Sequence, residues 1–129
     1  MEDSIGDDGF VFPFEKIEVW QLAVDLADYV LGLLDSFPSN KHFRIIGQME
    51  AAVSGISQNI AEGKGRQYNK EFIQFLYIAI GCIFEVLTLT EIFKRRKLFK
   101  PDEAGQIRDK AKIIYRKTTA LIKSLKRRV

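Results

Sequence analysis

Residues 69 to 97 carry the most restrictive pattern in the chain, a helical stretch with apolar residues on every side. Phe72, Leu76, Ala79, Ile83, Val86, Thr90 and Phe93 recur in steps of three and four, the spacing of one helix face. Ile73, Tyr77, Ile80, Phe84 and Leu87 form a second row, and Phe75, Ile78, Cys82, Leu89 and Ile92 a third. A helix that is apolar all round is buried all round. Each member of a four-helix bundle normally keeps one face in water, so the outer face of this one is expected to meet another copy of the chain.

Three more helices can be read around it. From Phe14 to Phe37 one row runs Ile17, Trp20, Val24, Ala27, Leu31, Leu34 and a second runs Val19, Ala23, Leu26, Val30, Leu33, Phe37, until Pro38 breaks the segment. The next helix is expected to start near Ser39 or Asn40, either of which can cap it. It carries Ile45, Met49, Ala52, Ile56 and Ile60 on one face and is expected to stop at Gly63 in a left-handed cap. Gly47, Ala51, Ser54, Gly55 and Ala61 are small, a set that lets another helix come close. Asn69 opens the apolar helix, with Glu71 in its first turn. The last helix opens at Pro101, with Asp102 and Glu103 beside it, and turns Ile107, Ala111, Ile114, Thr118, Leu121 and Leu125 inward. Short connections make neighbours antiparallel, so the fold class is all-α, an up-down-up-down four-helix bundle over residues 14–129. Residues 1–13 are read as an acidic flexible tail, without the basic and apolar regions of a signal peptide.

The chain of 129 residues is 47% hydrophobic and 29% charged, enough apolar content for one core. No apolar run reaches 18 residues, so no membrane contact is expected. Cys82 is the only cysteine, which fits a reducing cytoplasm. Charge is unevenly placed. Residues 1–37 hold nine acids against Lys16 alone, and residues 94–129 hold fourteen bases against Asp102, Glu103 and Asp109. Such asymmetry points to an acidic partner for the basic end, or to two surfaces of one protein that meet each other.

Catalytic and metal chemistry can be tested by inventory. The bundle type of di-iron site needs Glu-x-x-His on two helices, and His42 is the only histidine. Tetrahedral zinc needs several Cys or His ligands. Gly63-Lys64-Gly65-Arg66 lacks the Lys-Ser/Thr pair of a phosphate loop, and no nucleophile elbow supports a serine triad. No enzyme activity, metal or cofactor is therefore expected. Glu85, inside the most apolar helix, is expected to be paired or hydrogen-bonded, and with Asn59 and Glu62 to form a polar clamp that fixes helix register.

The remaining candidates are cationic. Lys64, Arg66 and Lys70 flank a glycine turn before a helix N-terminus, where backbone N–H groups favour an anion. Arg108, Lys112 and Arg116 recur every four residues on the outer side of the last helix, followed by Lys123 and Arg127, with Arg95 and Arg96 preceding it. Such a surface binds phosphates without reading sequence. The last helix has only Tyr115 among its cations, so base stacking on single strands is not expected from it. The leading expectation is a cytoplasmic homo-oligomer binding nucleic acid, RNA in preference. The alternative is a structural assembly protein that binds only protein partners.

Several strings resemble one family. Ile17 with Val19-Trp20-Gln21, Phe37-Pro38, Asn59-Ile60-Ala61-Glu62-Gly63, Gly65-Arg66, Lys70-Glu71-Phe72, and Ala79-x-Gly81 with Glu85 and Thr88 span residues 14–99. Together they resemble the small four-helix-bundle proteins encoded in intervening sequences of bacterial 23S ribosomal RNA genes. Gly55-Ile56-Ser57-Gln58 departs from the usual Ser-Ile-Pro-Ser, and Ile80 and Cys82 stand where the family often has a basic residue and a serine. The resemblance implies assembly into a ring-shaped homopentamer. Related accessory variability proteins of diversity-generating retroelements imply a reverse transcriptase or other protein partner, with a basic surface holding RNA or DNA.

Overall fold

The computed structural model describes residues 8–128. A 3-10 turn at Pro13–Lys16 leads into α1 (Glu18–Leu34), followed by α2 (Phe43–Lys64), α3 (Asn69–Arg95) and α4 (Pro101–Lys126). No strand occurs among the described residues. Backbones run side by side around a ring, with α2 beside α1 and α3, and α4 beside α3 and α1, and the diagonal pairs kept farther apart. Short connections and this closed order make the up-down-up-down bundle.

The core forms where the periodicity places it. Val19, Ala23, Leu26 and Val30 of α1 meet Met49, Ile56 and Ile60 of α2, Leu76, Ile83 and Phe93 of α3, and Ile107, Ala111 and Ile114 of α4, all buried. In α1 the other row is half-covered at Ile17, Trp20, Ala27 and Leu31, exposed at Val24 and buried at Leu34. Phe37 extends the core beyond α1, with ring centroids 5.8 Å from both Phe93 and Phe99. Three helix ends differ from the sequence expectation. Helix α1 begins at Glu18, because the chain spends one 3-10 turn first, held where Glu15 Oε1 accepts from the Phe12 N–H at 2.7 Å. Helix α2 begins at Phe43, preceded by His42 in the left-handed region at φ 60°, and neither Ser39 nor Asn40 caps it. The two residues lie in the turn instead.

Gly63 is not a left-handed cap. It sits inside α2, buried, and the cap is Gly65 with an ordinary φ of −79°. A Cβ at Gly63 would meet the Phe75 Cβ at 2.6 Å and Phe72 Cδ1 at 2.9 Å, and one at Gly55 would meet Cys82 Sγ at 2.9 Å. These two glycines bring α2 against α3. Gly47 has nothing within 4 Å of such a Cβ, so it serves no close approach.

Helix α3 ends in a Schellman arrangement. Leu98 N–H bonds Phe93 O at 2.8 Å, Lys97 N–H bonds Lys94 O at 3.0 Å, and Lys97 takes φ 62°. At α4, Glu103 Oε1 accepts from the Lys100 N–H at 2.8 Å, satisfying one of the free donors at a helix start.

The expectation that α3 is covered on every side does not hold within one chain. Its first row is buried throughout, but Tyr77, Ile78, Phe84 and Ile92 are exposed, and Ile80 and Leu87 half-buried. Two neighbours, α2 and α4, cannot enclose a helix in a four-membered ring. By length and composition α3 would also suffice to cross a membrane, although the inner row of the same helix is bundle core. Residues 1–7 of the expected tail lie outside the described residues. The proposed tail boundary at residue 13 falls within an aromatic run, in which Phe10, Phe12, Phe14 and Trp20 touch in sequence with centroids 4.8 to 6.0 Å apart.

Candidate nucleic-acid interface

The basic residues fall into three groups. At the turn after α2, the Arg66 guanidinium lies 4.6 Å from the Phe75 ring centroid and 3.5 Å from Glu62 Oε2. Lys64 Nζ stands 6.0 Å from the Phe72 ring centroid. These two cations lie over the aromatic side chains that press on Gly63. Lys70, in the first turn of α3, lines a hollow of about 530 Å³ with Gln67, Tyr68, Asn69, Glu71 and Arg128. Arg128 escaped the sequence reading because it falls outside the four-residue row of cations on the last helix, and only the fold brings it beside Lys70.

At the end of α3, Arg95 Nε is 2.9 Å and Lys94 Nζ 3.4 Å from the Glu91 carboxylate. Hydrogen bonds from Arg95, then Lys94, hold the Glu91 carboxyl below its ordinary value. Arg96 is the exposed cap. Arg95 is thus partly neutralised where it stands.

The third group is the outer side of α4. Arg108, Lys112, Arg116, Lys123 and Arg127 are all exposed, and among the described residues none has an acidic group within 4 Å. At 3.6 residues per turn, Arg108, Lys112, Tyr115 and Lys126 share the flank of α4 that faces α3. There Lys126 Nζ donates to Tyr77 Oη at 3.0 Å. Phe84 lies 5.7 Å, centroid to centroid, from Tyr115. Sequence reasoning missed Lys126, Tyr77 and Phe84. A single helix wheel cannot show that α3 lends its aromatics to the basic flank of α4. The opposite flank is engaged with α1: Lys117 pairs with Glu18 at 3.0 Å, and Lys110 Nζ lies 5.3 Å from the Tyr29 ring centroid. Burial first, then Glu103 and Asp102, raises the Tyr29 phenol.

The expected clamp does not come together within the chain. Asn59 Nδ2 donates to Gly55 O at 2.7 Å, one turn back on its own helix. Glu62 is exposed and faces Arg66. Glu85 is exposed on the outer strip of α3, so it needs no buried partner. Its charge is felt by Cys82, whose thiol is raised first by burial and then by Glu85.

These features define a small all-helical bundle protein with one basic outer face and an uncovered apolar strip beside it. The 23S rRNA-intervening sequence protein family matches residues 15–120, and the chain belongs to that family. Its fold is similar to the 1.70 Å crystal structure of a protein of unknown function from the S23 ribosomal protein family of Bacteroides thetaiotaomicron. The TM-score is 0.74 at 22% identity, over 81% of this chain and 98% of that one. No curated protein matches the chain.

Proposed function

We propose that the protein is a non-enzymatic homo-oligomer of the cytoplasm that binds nucleic acid, structured RNA in preference, through phosphate contacts. The observation that carries this reading is the row of exposed cations on α4, Arg108, Lys112, Arg116, Lys123 and Arg127, which among the described residues have no acidic group within 4 Å. Uncompensated charge on a rigid helix attracts a polyanion and releases its counterions. Lys64, Arg66, Lys70, Arg95 and Arg96 are secondary contacts, because Arg66 and Arg95 already have carboxylate neighbours. Self-association is supported by Ile78 and Ile92, exposed on α3 on either side of Glu85, two apolar side chains that a second copy would remove from water. Five copies in a ring remain the arrangement the family resemblance implies, and a reverse transcriptase the partner it implies.

Titration of a labelled structured RNA at several salt concentrations tests the reading. Affinity that falls steeply with salt supports it, and absent or salt-indifferent binding overturns it.

A second reading rests on the acidic side. Asp25 and Asp28 of α1 and Asp35 at its C-terminal cap are exposed, and no base lies within 4 Å of them among the described residues. A protein that binds only protein would set this side of one copy against α4 of the next. Charge reversal at Arg108, Lys112 and Arg116 that dissolves the oligomer while sparing RNA affinity favours this second reading.

A further inference from the structure

From the groove between α3 and α4 we infer that the protein holds unpaired, single-stranded nucleotides there, stacking their bases on Phe84 and Tyr115. The inference rests on the nucleic-acid reading above and specifies which part of a structured RNA is held, its unpaired loops and ends. Phe84, Leu87, Arg108, Ala111, Lys112 and Tyr115 enclose a cleft of about 170 Å³. Phe84 is 52% and Tyr115 39% exposed, although aromatic rings are the costliest groups to leave in water. Their centroids lie 5.7 Å apart with planes tilted by 37°, so the two rings pack on each other while each keeps more than a third of its surface open to solvent.

The same groove continues in both directions. Toward the start of α3 it reaches Tyr77, 48% exposed, whose hydroxyl accepts from Lys126. Toward the end of α3 a second hollow of about 360 Å³ is lined by Leu87, Thr90, Glu91, Lys94, Pro101, Ala104, Gly105 and Arg108. From residue 77 to 91 this is a track of about 21 Å at 1.5 Å per helical residue. Cations stand along it at Lys126, Lys112, Arg108 and Lys94. The one carboxylate lining these two hollows among the described residues, Glu91, is already held by Arg95 and Lys94.

The chemistry selects the occupant. A carboxylate-bearing helix, such as α1 of another copy, answers the cations but offers nothing planar to the rings. Duplex RNA offers phosphates but keeps its bases stacked inside. A single strand supplies both phosphate and free base faces, the combination that basic, aromatic grooves bind without sequence preference. Tyr115 taken alone on α4 gave no such platform, and the ring from α3 completes it.

The test measures fluorescence anisotropy of a labelled oligouridine and of an RNA duplex of equal length, with sedimentation of each protein alongside. The wild type is expected to bind the single strand more tightly than the duplex. Phe84→Leu/Tyr115→Leu should lose at least roughly ten-fold on the single strand and change little on the duplex. Tyr115→Phe, which keeps the ring, should bind as the wild type does. Salt-dependent duplex binding with an indifferent leucine variant overturns this inference and leaves the nucleic-acid reading standing. Binding of neither RNA by the wild type overturns both. Loss of the oligomer in the leucine variant with unchanged RNA affinity assigns the groove to a second copy and overturns the inference.

Discussion

Gly63 of α2 and Phe75 of α3 approach so closely that a Cβ on the glycine would lie 2.6 Å from the Phe75 Cβ. Alanine at 63 gains up to about 1 kcal/mol of helix propensity, but this overpacking costs about 1–3 kcal/mol. Gly63→Ala is therefore expected to destabilise the bundle in urea unfolding, while Gly47→Ala, with open space around it, is expected to stabilise it. A stabilised Gly63→Ala protein would show that α2 and α3 are not in contact there.

Gly55 makes the same kind of approach to Cys82 Sγ, at 2.9 Å. The obstructing atom is here a side-chain tip. Gly55→Ala alone should cost stability, and adding Cys82→Ala should recover part of it, giving a coupling of about 0.5–3 kcal/mol in a double-mutant cycle. Strict additivity would place the two residues apart.

The Cys82 thiol is raised by burial and by Glu85, so the fold favours its protonated form. This group's contribution to stability is complete below the ordinary thiol pKa and is lost as pH climbs through the raised value. The reactive species is the thiolate. Alkylation by iodoacetamide at pH 8 should thus be slower in the folded protein than in urea, and should keep rising with pH beyond the range of a free thiol. Equal rates in the folded and unfolded chain contradict the assignment.

Lys97 holds the left-handed position that ends α3, at φ 62°. A side chain in that conformation costs roughly 1 kcal/mol, and glycine removes the cost. Lys97→Gly should raise the urea midpoint without changing the slope of the transition, and a lowered midpoint would mean that the Lys97 side chain stabilises the turn in a way its backbone does not reveal.

Much of this architecture could be read from residue spacing. The rows through Leu76, Ile83 and Phe93 and through Ile107, Ala111 and Ile114 became the core because an apolar residue every three or four positions has only one side to hide on. What spacing hid was distance between helices. Gly63 looked like a helix stop because a glycine beside cations so often is one, and only the position of Phe75 shows that it is a contact. Glu85 looked buried because its sequence neighbours are apolar, yet it lies on the strip that faces away from α2 and α4. Phe84 and Tyr115, 31 positions apart in the sequence, share a groove that neither helix announces alone.

The uncovered strip of α3 carries its own consequence. Ile78 is 51% exposed and Ile92 40%, and both lie away from the Phe84 groove on the face shared with Gly81. Ile78→Glu/Ile92→Glu should leave helix content nearly unchanged while reducing the sedimentation coefficient to that of a monomer and removing any dependence of the thermal midpoint on protein concentration. A wild type that is already monomeric at micromolar concentration contradicts the self-association.

The most direct test of phosphate binding by α4 is the slope of log affinity against log salt for one labelled single-stranded RNA. Neutralising Arg108, Lys112 and Arg116 with glutamine should reduce its magnitude by about 2, at roughly 0.7 per lost phosphate contact. A variant whose affinity and slope both match the wild type contradicts the account.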